Sequence, residues 1–568
     1  MSLSIIFTLA TGCKKSDQTE SPAVAQPKQA PQNSQAAAFH WIGMKRVAAD
    51  PNAASFLKIW QLPESEKLKV QTLDKLALAP WRLSGTNTSA NSTNSTNYAA
   101  LLHENPSAQL LRPLLDDIVQ EEWYAAIKDQ TDKQPQLALA IHLDPARASL
   151  WETNLASIIE SVTGSRKAPL QSAGADAGWE LQVTNRASAL PPPVRHVQLL
   201  RSGEWTFVGF APGQNSAFDD VLARFRRDNT PLETPATNAW FQTSLDLRRV
   251  SNLFAWGWNL PEDWPRFSVS VTGDGKQVVT RGSLNFPKPL PFTIEPWVIP
   301  TNMIHEPLHS FTAAQGLGPW LSSWEKWKNL KIGPAPNQLF IWAQGSSPFL
   351  DYAAAPLPDA GKAMSAIGPA VMDAFNPLLS NNRMGQWERA TNSDGIVLNR
   401  VPIIAPYIQS LSIPEGHFIF SALSPLAVST KGAPVRTIND LLGQPNVVYF
   451  ERELTGPRVE AWMYISQLGR IILRCEQIPE GNVSSWLKAI GPLLGPSATT
   501  ITKTAPSTLS LARTSYIGLS GAEIHLLADW LASSEFPLRL HSQVAKLPRF
   551  ASRHSGTVMA PGQGKQKP

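Results

Sequence analysis

Cysteine is nearly absent from these 568 residues: only Cys13 and Cys475 occur. With one near the start and the other deep in the chain, neither a disulfide framework nor a cysteine-based zinc site is expected, and Cys475 reads as a small buried hydrophobe. Charged side chains are also scarce, at 17%. Beyond the first dozen residues no apolar run approaches the ~20 residues of a membrane-spanning helix. Basic residues exceed acidic ones by five, and Lys546, Arg549, Arg553, Lys565 and Lys567 at the C-terminal end account for that whole excess. A neutral body excludes the electrostatic footprint of a nucleic-acid binder. No G-x-S-x-G elbow occurs. Gly273-Asp-Gly275, Gly316-Leu-Gly318 and Gly562-Gln-Gly564-Lys565 lack the rest of a phosphate-binding loop, so no cofactor is expected.

What is present is a folded composition, 43% hydrophobic, interrupted by 48 prolines. The prolines favour short strands and helices joined by defined turns, and the length calls for two or three domains. The stretch Asn446–Leu473 sets the pattern. Val447 to Leu454 reads as a strand, Thr455 as a helix cap, and Val459, Trp462, Met463, Ile465, Leu468 and Ile472 as one apolar helix face. Leu245 to Phe254 matches Leu454 to Met463 loosely, with Arg249-Val250 and Arg458-Val459 in register. The match hints at an internal duplication. Each arginine, standing at a helix start against the dipole, then needs a carboxylate partner or an outlet to solvent.

Met1 to Cys13, MSLSIIFTLATGC, places an apolar run and small residues directly before a cysteine. It resembles a bacterial lipoprotein leader, although Leu9 stands one position further from the cysteine than usual and a charged n-region is missing. The resemblance implies cleavage before Cys13, lipid on its thiol, and outer-membrane anchoring. Residues 14–38 have the composition of a disordered tether.

Residues 39–136 read as a helical N-terminal region, with helices from Phe39 and over Leu110–Ile127. The Asp116-Asp117 and Glu121-Glu122 pairs read as a solvated face. Thr86–Asn97, which contains Asn87, Asn91 and Asn94 in Asn-x-Ser/Thr triplets, reads as a polar surface loop. A first α+β half is expected over 137–300, with hairpins at Ser202-Gly203 and Gly273-Asp274-Gly275. A second spans 301–545, with a helix over Phe311–Trp327, hairpins at Asn392–Gly395 and Ala505–Ser507, and a closing helix over Ala522–Leu531. Residues 546–568 read as a disordered basic tail. The fold class is therefore α+β, two similar sheet-and-helix halves behind a helical segment. Phe311–Gly316 and Ala522–Leu531 resemble stretches of a set of bacterial envelope proteins to which no activity is attached.

His305-Glu306-Pro307-Leu308-His309 spells H-E-x-x-H. Zinc peptidases need that motif on a helix, with both imidazoles on one face and the Glu on a metal-bound water. Pro307 disfavours helix at Glu306, and Pro296 and Pro300 leave no helix running in, so an interdomain linker is the expectation. His142, His196, His417 and His525 read as structural histidines, although a serine triad assembled from distant residues is recognised only by geometry. Of the 20 tryptophans, Trp320, Trp324 and Trp327, like Trp256 and Trp258, fall at helical spacing and read as core. The expected function is a non-catalytic, lipid-tethered envelope protein that binds a protein or saccharide partner. The alternative is a periplasmic hydrolase using His305, Glu306 and His309 or an unseen triad.

Overall fold

A strand, β1 (Gln35–Trp41), opens the folded chain and lies within one sheet with nineteen others. The computed structural model describes residues 35–537 apart from 84–97, 130–134, 171–176, 184–193, 233–237, 254–259, 346–348, 382–384, 392–393, 402–403, 425–435, 473–480 and 534–535. Cys13, Cys475, Trp256, Trp258, the Asn-x-Ser/Thr triplets and the basic tail lie outside the described residues. Fifteen α-helices accompany the sheet among the described residues, and the fold is α+β.

The first ten strands continue with β2 (Trp123–Asp129), β3 (Pro135–His142), β4 (Ala168–Pro169), β5 (Ala177–Gln182), β6 (His196–Ser202), β7 (Trp205–Ala211), β8 (Phe241–Asp246), β9 (Arg266–Gly273) and β10 (Val278–Asn285). The second ten are β11 (Leu308–Gln315), β12 (Gln338–Gln344), β13 (Asp351–Pro356), β14 (Gln386–Arg389), β15 (Gly395–Asn399), β16 (Tyr407–Ile413), β17 (Gly416–Ala422), β18 (Val447–Leu454), β19 (Pro496–Ala505) and β20 (Thr508–Ser515). Every pairing is antiparallel. The first half runs β4-β5-β6-β7-β3-β2-β1-β8-β9-β10. The second runs β14-β15-β16-β17-β13-β12-β11-β18-β19-β20, the same order with each number raised by ten. β10 and β20, the last strand of each half, pair with one another and join the two.

The helices repeat the scheme. Pro145–Thr163, between β3 and β4, starts on Asp144, whose carboxylate accepts from the amides of Ala146 and Arg147, with Pro145 in the first turn. It packs Trp151, Leu155 and Ile159 against Ile141, Leu199 and Val208. Ala360–Asn381 follows β13 in the same place. Ser216–Asp228, capped by Asn215, packs Phe218, Val221 and Phe225 on Ala138, Ala140 and Phe207, which lie on the opposite sheet face. Arg436–Leu442 answers it with Ile438 and Leu441 over Phe420 and Phe450. The helices Thr455–Ile472, Asn482–Ile490 and Gly521–Ala532 build a further layer with Ile59 and Leu68 from the N-terminal helices. Lys75, buried there, donates to the carbonyl of Leu531 at the C-terminal end of the last helix, where the dipole favours a cation. Burial, with Arg82 adding, pulls its ammonium down to about 8.

Several expectations change. Phe39-His-Trp41 is strand, and a second strand follows the helix Pro106–Gln120, so residues 39–136 are not purely helical and the sheet begins at Gln35, inside the expected tether. A short β-branched and aromatic run carries no periodicity that separates strand from helix. Phe311 to Gln315 is also strand, leaving only the short helices Gly318–Ser323 and Glu325–Leu330, with a break at Trp324. Trp320 is consequently exposed, not core. Thr455 begins its helix with a buried hydroxyl that has no partner among the described residues, so it caps none of them. Asp117 is 5% exposed and accepts from Arg147 and from the Trp151 indole, so it faces the core between two helices.

β8 and β18 hold the same place in the two strand orders, and each feeds a helix. Arg249 is the third residue of Leu247–Leu253 and Arg458 the fourth of Thr455–Ile472, so the sequence match holds to within one residue. Both arginines reach a carboxylate of the equivalent hairpin: Arg249 Nε lies 3.0 Å from Asp129 at the end of β2, and Arg458 Nη1 2.7 Å from Asp351 at the start of β13. The second pair is deeper, with side chains 8% and 15% exposed against 25% and 27%. Arg458→Met should therefore cost on the order of 3 kcal/mol, since it strands a buried carboxylate. Arg249→Met should cost about 1 kcal/mol. Urea unfolding of both variants checks the difference.

Candidate functional site

The strands beside the seam bring small polar residues into register. Residues directly opposite in an antiparallel pair share a face, as do alternate residues of one strand. One row across that face reads Tyr124, His40, Gln242, Ser270, Arg281 and Ala512. The neighbouring row reads Ala126, Ala38, Ser244, Ser268, Ser283 and Ser510. The local sequence explains the split: in Phe267-Ser-Val-Ser-Val271 the hydroxyls take one face and the apolar side chains the other. Here the helix Ser216–Asp228 no longer covers the sheet, and the two rows, from Tyr124 to Arg281 and from Ala38 to Ser283, floor a groove of about 470 Å³ bounded on one side by Leu232.

The groove has a closed end and a charged end. His40, 4% exposed, bonds through Nε2 to Glu122 at 2.9 Å, while its buried Nδ1 has no partner among the described residues. Burial opposes ionisation of Glu122, but the His40 hydrogen bond and the charge of Arg46 outweigh it and hold the carboxyl below its usual range. Three strand spacings away, Arg281 is exposed and stands between Ser270 and Ala512, with no carboxylate partner among the described residues. Asp246, on the same face two strands off, accepts from the backbone of Arg249.

A second cluster lies on the other face, under the helix Gly521–Ala532. Glu453 accepts from Ser497 Oγ at 3.1 Å and from the Gly521 amide at 2.6 Å, so its carboxylate caps that helix. Gly521 is needed there, because a Cβ would come within 2.9 Å of the Arg458 side chain. Arg513 donates to both oxygens of Glu523, at 2.6 and 3.1 Å, and to Thr499. Glu451, 6% exposed, is pushed up to about 7 by burial and by the neighbouring Glu453, with Arg513 opposing. The equivalent space in the first half is apolar, filled by Leu245, Val250 and Leu253.

The H-E-x-x-H segment is loop up to Pro307 and strand from Leu308, so its side chains are not presented on a helix face. Gln344 takes the His305 amide, and the Glu306 carboxylate accepts from its own Leu308 amide at 2.8 Å. His309, half-buried, is lowered by burial and then by Arg458, with Asp351 opposing. Among the described residues no three His, Cys, Asp or Glu side chains are placed to share a metal ion. His142 pairs with Glu204, His196 with Glu180 and His525 with Asp529. Ser412 and His417 bond at 2.8 Å across an exposed hairpin tip, where the nearby Glu415 is taken by Asn302 and Thr301. Neither the groove nor the acidic cluster was visible in the sequence. The alternating serines of β9 were the one local signal, and their meaning depends on partners in other strands, from Arg281 and Ser283 on β10 to Ser510 and Ala512 on β20. Comparison with protein-family models, curated proteins and solved structures finds no match.

Glu451 gives this region a pH dependence. A carboxyl whose folded value exceeds its unfolded value of 4.5 binds more protons when folded. Its stabilisation is complete below about pH 4.5 and fades as pH rises to about 7, on the order of 3 kcal/mol in all. Denaturant midpoints should fall from pH 5 to pH 8, and Glu451→Gln should flatten that slope and raise stability at pH 8.

Proposed function

We propose that this chain is a non-catalytic binding protein of the bacterial cell envelope, tethered through lipid on Cys13, whose ligand sits in the groove on the sheet face. The observation that carries the reading is the groove itself, a concave site whose floor joins four serine hydroxyls to His40, Tyr124, Gln242 and Arg281, the last with no carboxylate partner among the described residues. Its volume falls within the ~300–1,000 Å³ range of small-ligand sites. The leader sequence, and the absence of any helix long and apolar enough to cross a membrane among the described residues, support a lipid as the means of attachment. The repeated strand order supports duplication of one ten-strand unit as the origin of the body. A hydrolase working through His305, Glu306 and His309 is not carried forward, because that segment is loop and strand.

Two experiments test the proposal. With the full leader present, Cys13→Ser should move the protein from the membrane to the soluble fraction, and unchanged retention would overturn the anchor. Native mass spectrometry of protein extracted from its own membrane should show a bound small molecule. Ser268→Phe, which fills the groove from an open face, should lose that mass without changing the melting temperature by more than a few degrees.

A further inference from the structure

We propose that the groove takes an acidic saccharide, a short run of sugar units bearing a carboxylate, and that Arg281 anchors the carboxylate. The inference rests on the groove being the ligand site. Hydroxyl side chains at Ser244, Ser268, Ser270 and Ser283 both donate and accept, as does the Gln242 amide, which suits a ligand whose own hydroxyls do the same. A peptide adds to a sheet through free strand edges, and β1, β8, β9 and β10 are each paired on both sides, so the floor offers none. Four strand spacings from β2 to β10 make the floor about 19 Å long, room for several sugar rings.

Charge selects among saccharides. The Arg281 guanidinium presents a fork of donors that matches a carboxylate, and on its face it meets Ser270, Ala512, Val279 and Ser283 but no acid. At the closed end, His40 Nδ1 is buried without a partner among the described residues, and a ligand hydroxyl supplies one. The two ends therefore ask for different groups, an acid at Arg281 and a hydroxyl at His40, which sets the direction in which the chain of sugars lies.

Isothermal titration with tetragalacturonic acid and with its methyl ester tests this on the intact protein, Arg281→Ala, Arg281→Lys and Ser268→Phe. The wild type should bind the acid at least tenfold tighter than the ester, with an affinity that falls as salt is raised. Arg281→Ala should lose that tenfold for the acid and leave the ester unchanged, Arg281→Lys should recover part of it, and Ser268→Phe should lose both. Equal binding of acid and ester, or an Arg281→Ala variant that still prefers the acid, would overturn the anchor while leaving the groove intact. Absence of binding by either sugar to the wild type would overturn the saccharide assignment. The groove is then judged separately by whether Ser268→Phe loses the copurified mass.

Discussion

The pairing of β10 with β20 is the contact on which the whole architecture depends. Each is the last strand of its half, and each otherwise would be a free edge with a row of unsatisfied amides and carbonyls. Joined antiparallel from Val278–Ser515 to Asn285–Thr508, they make one sheet of two ten-strand orders. Two equivalent strands that meet antiparallel are related by a local two-fold rotation, so the seam relates the halves as a symmetric dimer interface would relate two subunits. The Pro-rich segment after β10 then only has to lead the chain from the seam to β11, and it hydrogen-bonds along the way to the β19–β20 turn through Phe286 and Leu290.

On the face that carries the serines, the helices lie away from the seam, whereas Gly521–Ala532 follows β20 and packs beside the seam on the other face. Ser216–Asp228 and Arg436–Leu442 cover one face of the outer strands, while Pro145–Thr163 and Ala360–Asn381 follow the third strand of each half. The central strands are left half-exposed on the face that carries the serines. The halves share topology but not side chains there. On the first-half side the row continues into Gln242 and His40, whereas on the second-half side it runs through Thr500 into Phe450, part of the apolar core. The acidic cluster breaks the symmetry on the other face, in the opposite half. One half thus carries an open polar groove and the other a buried carboxylate pair.

Much of the fold was legible where turn chemistry is local. Gly203, Gly275 and the Ala505–Ser507 bend mark hairpins because φ > 0 or a proline fixes the chain there, and all three stand in the structure. β1 and β11 were not legible. Phe39–Trp41 is too short to show a period, and Ser310 to Gln315 is rich in residues that a helix accepts as readily as a strand. β11 is held by β12 and, far along the chain, by β18. Helix electrostatics alone asks of Arg249 and Arg458 a carboxylate partner or an outlet to solvent, and nothing local chooses between the two or names Asp129 or Asp351. The groove was the least legible feature, since Ser244, Ser268, Ser283 and Ser510 form a row only after four strands have paired.

A sheet of twenty strands has, among the described residues, just two ends, β4 and β14, and the repeat makes them counterparts. Each could in principle template another chain, and because both are outer edges of one continuous ribbon, joining copies there would extend the sheet without limit, in the manner of a fibre. The chain guards these ends by brevity. β4 has two residues, one of them Pro169 with no amide to offer, and β14 has four, with Glu388 and Arg389 among them. A body built by joining two units at a seam leaves its terminal strands as the places where lengthening by even a few residues would convert a discrete molecule into a polymer.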